Sequence, residues 1–167
     1  MSSSITISLP LDIYTYPEIP LPEVWTIEQL ASKAALTPDE VATGAQQAVA
    51  ALLQDPRLKA GATVAVGVGS RGLDNLVPVV RTVISALRAG GLCPFIIPAM
   101  GSHGGATDEG QRQVLADYGV TEESAGAEIR SSMETIFVGE LSGEDAGDYV
   151  GQKVYCDKNA LSADAIL

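Results

Sequence analysis

Cations are scarce in this chain. Ten Lys and Arg stand against 21 Asp and Glu, a formal net charge of −11 at pH 7. A nucleic-acid partner needs a basic face, and so does an anionic membrane surface, so neither is expected. A small anionic substrate remains open, because one or two local arginines decide that contact. Cysteine is nearly absent: Cys93 and Cys156 lie far apart, without metal-ligand spacing. Neither a zinc cluster nor a disulfide framework is expected, and both thiols read as reduced and buried. Long apolar runs are missing, which argues against a membrane span. Met1-Ser2-Ser3-Ser4 leads into the strand-like Ile5-Thr6-Ile7-Ser8-Leu9 with no basic leader, so the expected location is cytoplasmic. Aromatics make up only 5%, so the core is built from Ala, Val, Ile and Leu. Histidine occurs once, at His103.

What remains is a globular composition, 46% hydrophobic and 19% charged. One domain over residues 1–167 is expected. Residues 10–25 carry Pro10, Pro17, Pro20 and Pro22 and read as extended chain, so residues 1–25 form an extended N-terminal segment. Thr26-Ile27-Glu28-Gln29 has the form of a capping box. Thr37-Pro38-Asp39-Glu40 is a stronger helix start, running to about Gln54 before Pro56. Residues 63–68 and 92–98 read as buried strands. Residues 73–88 carry apolar side chains at helical spacing, with Asp74 as a first-turn acid. Residues 107–118 form a helix that Asp108 and Glu109 open, and Thr121-Glu122-Glu123 starts a short turn. Residues 135–138 and 153–156 are further strands around a polar loop at 140–148. The order strand–helix–strand–helix, with short glycine connections, predicts an α/β fold: a mostly parallel sheet flanked by helices, in Rossmann-like strand–loop–helix units.

Two loops stand out. Gly67-Val68-Gly69-Ser70-Arg71-Gly72 follows one strand and precedes a helix, matching G-x-G-x-x-G in its proper context. Its glycines let backbone approach an anion. Ser70 adds a hydroxyl, and Arg71 a planar guanidinium suited to a carboxylate or phosphate. A dinucleotide-binding fold also wants an acid after the next strand, where this chain has Ile97-Pro98-Ala99-Met100. A tight structural turn with a solvated arginine is the plain alternative. The second loop is Met100-Gly101-Ser102-His103-Gly104-Gly105-Ala106-Thr107, where His103 can move a proton at neutral pH or simply be solvated. Ser102 and His103 are adjacent at a turn and do not form a nucleophile–base pair. Arg130-Ser131-Ser132-Met133-Glu134 reads as a helix end or a solvated arginine.

The two loops together resemble the N-terminal domain of the nickel-pincer lactate racemase (LarA-like) family. There an Asp-His-Thr-Arg loop follows one strand and a Gly-Thr-His loop the next. The matching stretches are Val68-Gly69-Ser70-Arg71 and Gly101-Ser102-His103, and the likeness is best over residues 60–140. The resemblance implies an isomerase that racemises or epimerises a small 2-hydroxy acid by hydride transfer to a nickel-pincer nucleotide, while a histidine takes the hydroxyl proton. Carried over by position, His103 is the catalytic acid/base. Ser70, Arg71 and Ser102 bind substrate. Gly67, Gly69, Gly72, Gly101 and Gly104 lie on the cofactor side. No metal ligand is expected in this chain.

Val68 and Gly69 stand where the family has Asp and His, which points away from lactate to another 2-hydroxy or 2-keto acid. With one histidine, the family's second catalytic histidine and its nickel-binding histidine have no counterpart. The end, Ser162-Ala163-Asp164-Ala165-Ile166-Leu167, reads as the opening of an apolar strand. The expectation is therefore a truncated N-terminal part of a racemase-like enzyme, inactive alone, with no cofactor bound to this piece. Its edge at 163–167 would favour self-association. A non-catalytic anion-binding or assembly module and a dinucleotide-binding domain are the alternatives.

Overall fold

In the computed structural model the described residues are 36–167. The expected strand at 5–9, the proline-punctuated segment and the helix start at Thr26 lie outside them. The chain divides into two units, Met1–Ala34 and Ala35–Leu167, and the description below concerns the second.

Helix α1 (Pro38–Leu52) forms where the capping box predicts it. Thr37 Oγ1 accepts from the Glu40 amide at 3.3 Å, and Glu40 Oε2 accepts from the Thr37 amide at 2.8 Å. Strand β1 (Thr63–Val68) pairs in parallel with β2 (Cys93–Pro98), and helix α2 (Leu76–Ala89) connects them. Helices α3 (Asp108–Asp117) and α4 (Glu122–Ala125) follow, then an antiparallel hairpin of β3 (Thr135–Glu140) and β4 (Lys153–Asp157). Helix α5 (Lys158–Leu161) leads to β5 (Ala165–Ile166), which pairs in parallel with β1. The main sheet order is β2-β1-β5, all parallel. Residues 128–130 extend it past β2, where the Ile96 amide donates to Glu128 O and the Arg130 amide to Ile96 O, both at 2.8 Å. The fold is α/β, a parallel sheet flanked by helices with a small antiparallel sheet beside it.

The strand alternation sorts the core. Val64, Val66 and Val68 join Ile96, Val80, Ile84, Leu87 and Leu115 in one buried cluster. The opposite face carries Ala65, Phe95 and Ile97, packed against Ala160. On the β3–β4 hairpin Ile136, Phe137, Val138 and Tyr155 are all about half exposed, and Phe137 meets Tyr155 edge to face at 5.7 Å.

Four expectations are corrected. Helix α2 begins at Leu76, not residue 73, because Asn75 adopts φ 62° and breaks the helical run. Asp74 is therefore outside the helix, and it accepts from the Asn75 amide. Cys93 is exposed, not buried; Cys93 and Cys156 are both free. Arg130 is at no helix end. It lies in the extended segment beside β2, stacked over the Phe95 ring at 4.0 Å and bonded to Glu128.

Strand β5 is held at its start by one carboxylate. Asp164 Oδ2 accepts from the Thr63 amide and the Thr63 hydroxyl, both at 2.8 Å. Those bonds, the amide first, favour the ionised form and hold the Asp164 carboxyl below its ordinary value of 3.8. A depressed folded-state pKa means the contribution is complete above the unfolded value and is lost as pH falls through the lower folded one. Protection of the Leu167 amide, which donates to Ala65 O at 2.9 Å, should fall on acidification below about pH 4. Asp164→Asn should abolish that acid step in hydrogen exchange corrected for intrinsic rates. An unchanged acid step in the variant contradicts the assignment.

Candidate functional site

The paired strands end level with each other. Val68 stands opposite Pro98, and the Ala99 amide donates to Val68 O at 2.8 Å. The loops at 69–75 and 99–107 therefore leave the sheet side by side, at the carboxyl ends of parallel strands where α/β proteins bind ligands. Ser70 Oγ and His103 Nδ1 are 2.5 Å apart, joining the two loops directly. In one neutral tautomer Ser70 donates to Nδ1; with Nδ1 protonated, the ring donates to Ser70 Oγ. Nε2 has no hydrogen-bond partner among the described residues.

The histidine loop has a tightly determined backbone. Gly101, Gly104 and Gly105 have φ of 60°, 67° and 68°, and Ala106 has φ 53° in the same region. A non-glycine residue there costs energy that the surroundings must offset. Two contacts do so. The Gln111 side chain, 4% exposed, donates to Gly101 O at 2.7 Å. Gly104 and Gly110 touch backbone to backbone: a Cβ on Gly110 would stand 1.8 Å from Gly104 O. Thr107 caps α3 and also reaches back, its hydroxyl donating to Gly104 O at 3.0 Å.

Ser70, Arg71 and His103 line a cleft of about 490 Å³, with Gly69, Leu73, Ala99 and Met100 as the rest of its wall. Ser70 is half-buried, while Arg71 and His103 are exposed. Arg71 forms no ion pair among the described residues. The cleft thus offers a five-donor planar cation, a hydroxyl and an imidazole within one small volume, which fits a carboxylate bearing an adjacent oxygen. A cavity of similar size between α1 and α2, bounded by Gln46, Leu53 and Ser85 among others, has no ionisable side chain in its wall.

The structure gathers Gly69, Ser70, Arg71 and His103 and leaves the other expected residues outside that wall. Ser102 is exposed and is not in the cleft wall. Gly67 sits beside Ala99 and Leu167, and Gly72 against the Tyr118 ring. Gly101 faces open space, and Gly104 is occupied by its packing on α3. Helix α2 starts four residues beyond Gly72, so its first-turn amides do not form the glycine loop, and the dinucleotide reading gains nothing from the fold. Sequence reasoning missed the Ser70–His103 bond and the supports Gln111 and Gly110. A glycine in the third position of a well-capped helix was the only signal for any of them.

Comparison with protein-family models, curated proteins and solved structures finds no match. No group of three or more His, Cys, Asp or Glu among the described residues is placed to hold a metal ion. The donor set around His103, a serine, an arginine and no second histidine, does not fit a nickel-pincer group. No helix of the described residues is long and apolar enough to cross a membrane.

Gly→Ala in a helix ordinarily stabilises by up to about 1 kcal/mol. Gly110→Ala should do the reverse here, since the new methyl collides with backbone and not with a pliable side chain. The expected result is a lower urea midpoint together with altered ring-proton shifts of His103. A variant as stable as the parent with unmoved His103 signals contradicts the close contact.

Proposed function

We propose that this cleft is the carboxylate-binding and proton-transferring part of a racemase-like or epimerase-like site for a small 2-hydroxy acid. The observation that carries the reading is the 2.5 Å contact between Ser70 Oγ and His103 Nδ1 beside Arg71. Arg71 clamps the carboxylate through two parallel N–H donors. Ser70 fixes the imidazole plane and tautomer, which leaves Nε2 to exchange a proton with the substrate hydroxyl. A base at that oxygen takes the hydroxyl proton, while the hydride of the α-carbon would pass to an acceptor supplied by the rest of a longer enzyme.

His103 is the only histidine of the chain, so no second histidine here serves the opposite face. That favours a second reading, a binding module for small carboxylates that performs no turnover alone. Both readings require Arg71. In calorimetric or NMR titration with lactate, 2-hydroxybutyrate and pyruvate, Arg71→Ala should weaken binding by about tenfold to a hundredfold, the size of a lost charge-assisted hydrogen bond. Unchanged affinity removes Arg71 from the site. Where the chain works within a longer enzyme, His103→Ala should slow turnover by about 10²- to 10⁴-fold; a loss under tenfold rejects the proton-transfer role and leaves the binding module.

A further inference from the structure

A second hollow, about 270 Å³, adjoins the anion cleft. Gly69 and Leu73 belong to both walls. Beyond them it is lined by Leu76, Val79 and Val83 of α2 and by Leu167 at the end of the sheet, with no charged or polar side chain in its wall. Leu73 is 67% exposed and Leu167 42%. Gly67 and Gly69 also belong to its wall. The hollow therefore adjoins a site that holds one guanidinium, and its own wall carries no charged or polar side chain.

From that adjacency we infer that the acid bound at Arg71 carries an alkyl tail, and that the tail lies in this groove between α2 and Leu167. The inference rests on the reading of the cleft as a carboxylate site and names its substrate class further: a medium-chain acid, not lactate. The occupant's chemistry follows from the wall. A polar or charged side group would lose its hydration there without a partner. The volume suits a flexible chain and is too small for a helix or strand of another protein. Aliphatic walls give no directional contact, so discrimination should grow with chain length and not with the identity of a polar group.

The test is a titration of the full chain with glycolate, lactate, 2-hydroxybutyrate, 2-hydroxyhexanoate and 2-hydroxyoctanoate, with octanoate as the acid lacking the hydroxyl. Affinity should rise about three- to fourfold per methylene, on the order of fiftyfold from lactate to 2-hydroxyhexanoate. In methyl-detected NMR, 2-hydroxyoctanoate should shift Leu76, Val79 and Val83, and glycolate should not. Val79→Ser should flatten the length dependence and leave glycolate affinity within twofold. If that variant fails to fold, the methyl shifts of the unaltered chain decide the matter. Equal affinity along the series, with unmoved groove methyls, overturns the tail and leaves the carboxylate reading standing. Octanoate binding as tightly as 2-hydroxyoctanoate keeps the tail in the groove and rejects recognition of the hydroxyl. No binding by any acid overturns both.

Discussion

Parallel pairing of β1 with β2, in the register that sets Val68 against Pro98, is the constraint on which the site depends. A parallel pair places both carboxyl ends on the same side of the sheet, and this register ends them at the same height. A slip of one residue would turn Val64, Val66 and Val68 out of the main core and bring Ala65 and Gly67 in. The core thus enforces the register, and the register delivers Ser70 and His103, which are 33 residues apart in sequence, to within one hydrogen bond. The pairing with β5 on the other edge of β1 closes the same strand end, where the Gly67 amide donates to Leu167 O at 2.8 Å.

Once the strands are set, glycine and one buried amide determine the histidine loop. Residues with positive φ occur at 101, 104, 105 and 106, so the chain reverses within a few residues and returns to the first turn of α3. Gly104 and Gly110 allow an approach that any side chain would forbid. Gln111 is the one polar residue among the fully buried side chains described, and its amide is satisfied by Gly101 O. Such supports keep an exposed imidazole in a fixed position, which a proton-transferring or binding group requires.

Local signals made much of this legible in advance. The apolar run at 63–68 coincides with β1, and Thr37-Pro38-Asp39-Glu40 coincides with the start of α1, because strand burial and capping chemistry are short-range. Helix α2 starts three residues after Leu73, since Leu73 continues the apolar periodicity while the backbone at Asn75 interrupts it. Cys93 is exposed although two distant thiols in a chain with no export signal suggest buried ones, since composition says nothing of which face a side chain takes. The stacking of Arg130 on Phe95 joins residues far apart in sequence, so neither a helix end nor a solvated arginine describes it. For the same reason local pattern brings the two loops together but does not show the Ser70–His103 bond. Strand pairing, a tertiary fact, supplied what local pattern lacked.

The direct test of the account is the state of the His103 ring. As the only histidine, it gives one pair of ring nitrogens in a long-range ¹H–¹⁵N spectrum, with no assignment to resolve. The account predicts a single dominant tautomer in the neutral form, with an Nδ1 shift that moves on Ser70→Ala and again on adding a 2-hydroxy acid. Averaged tautomers whose shifts are identical in the parent and in Ser70→Ala would contradict it, because the two loops would then not form one site.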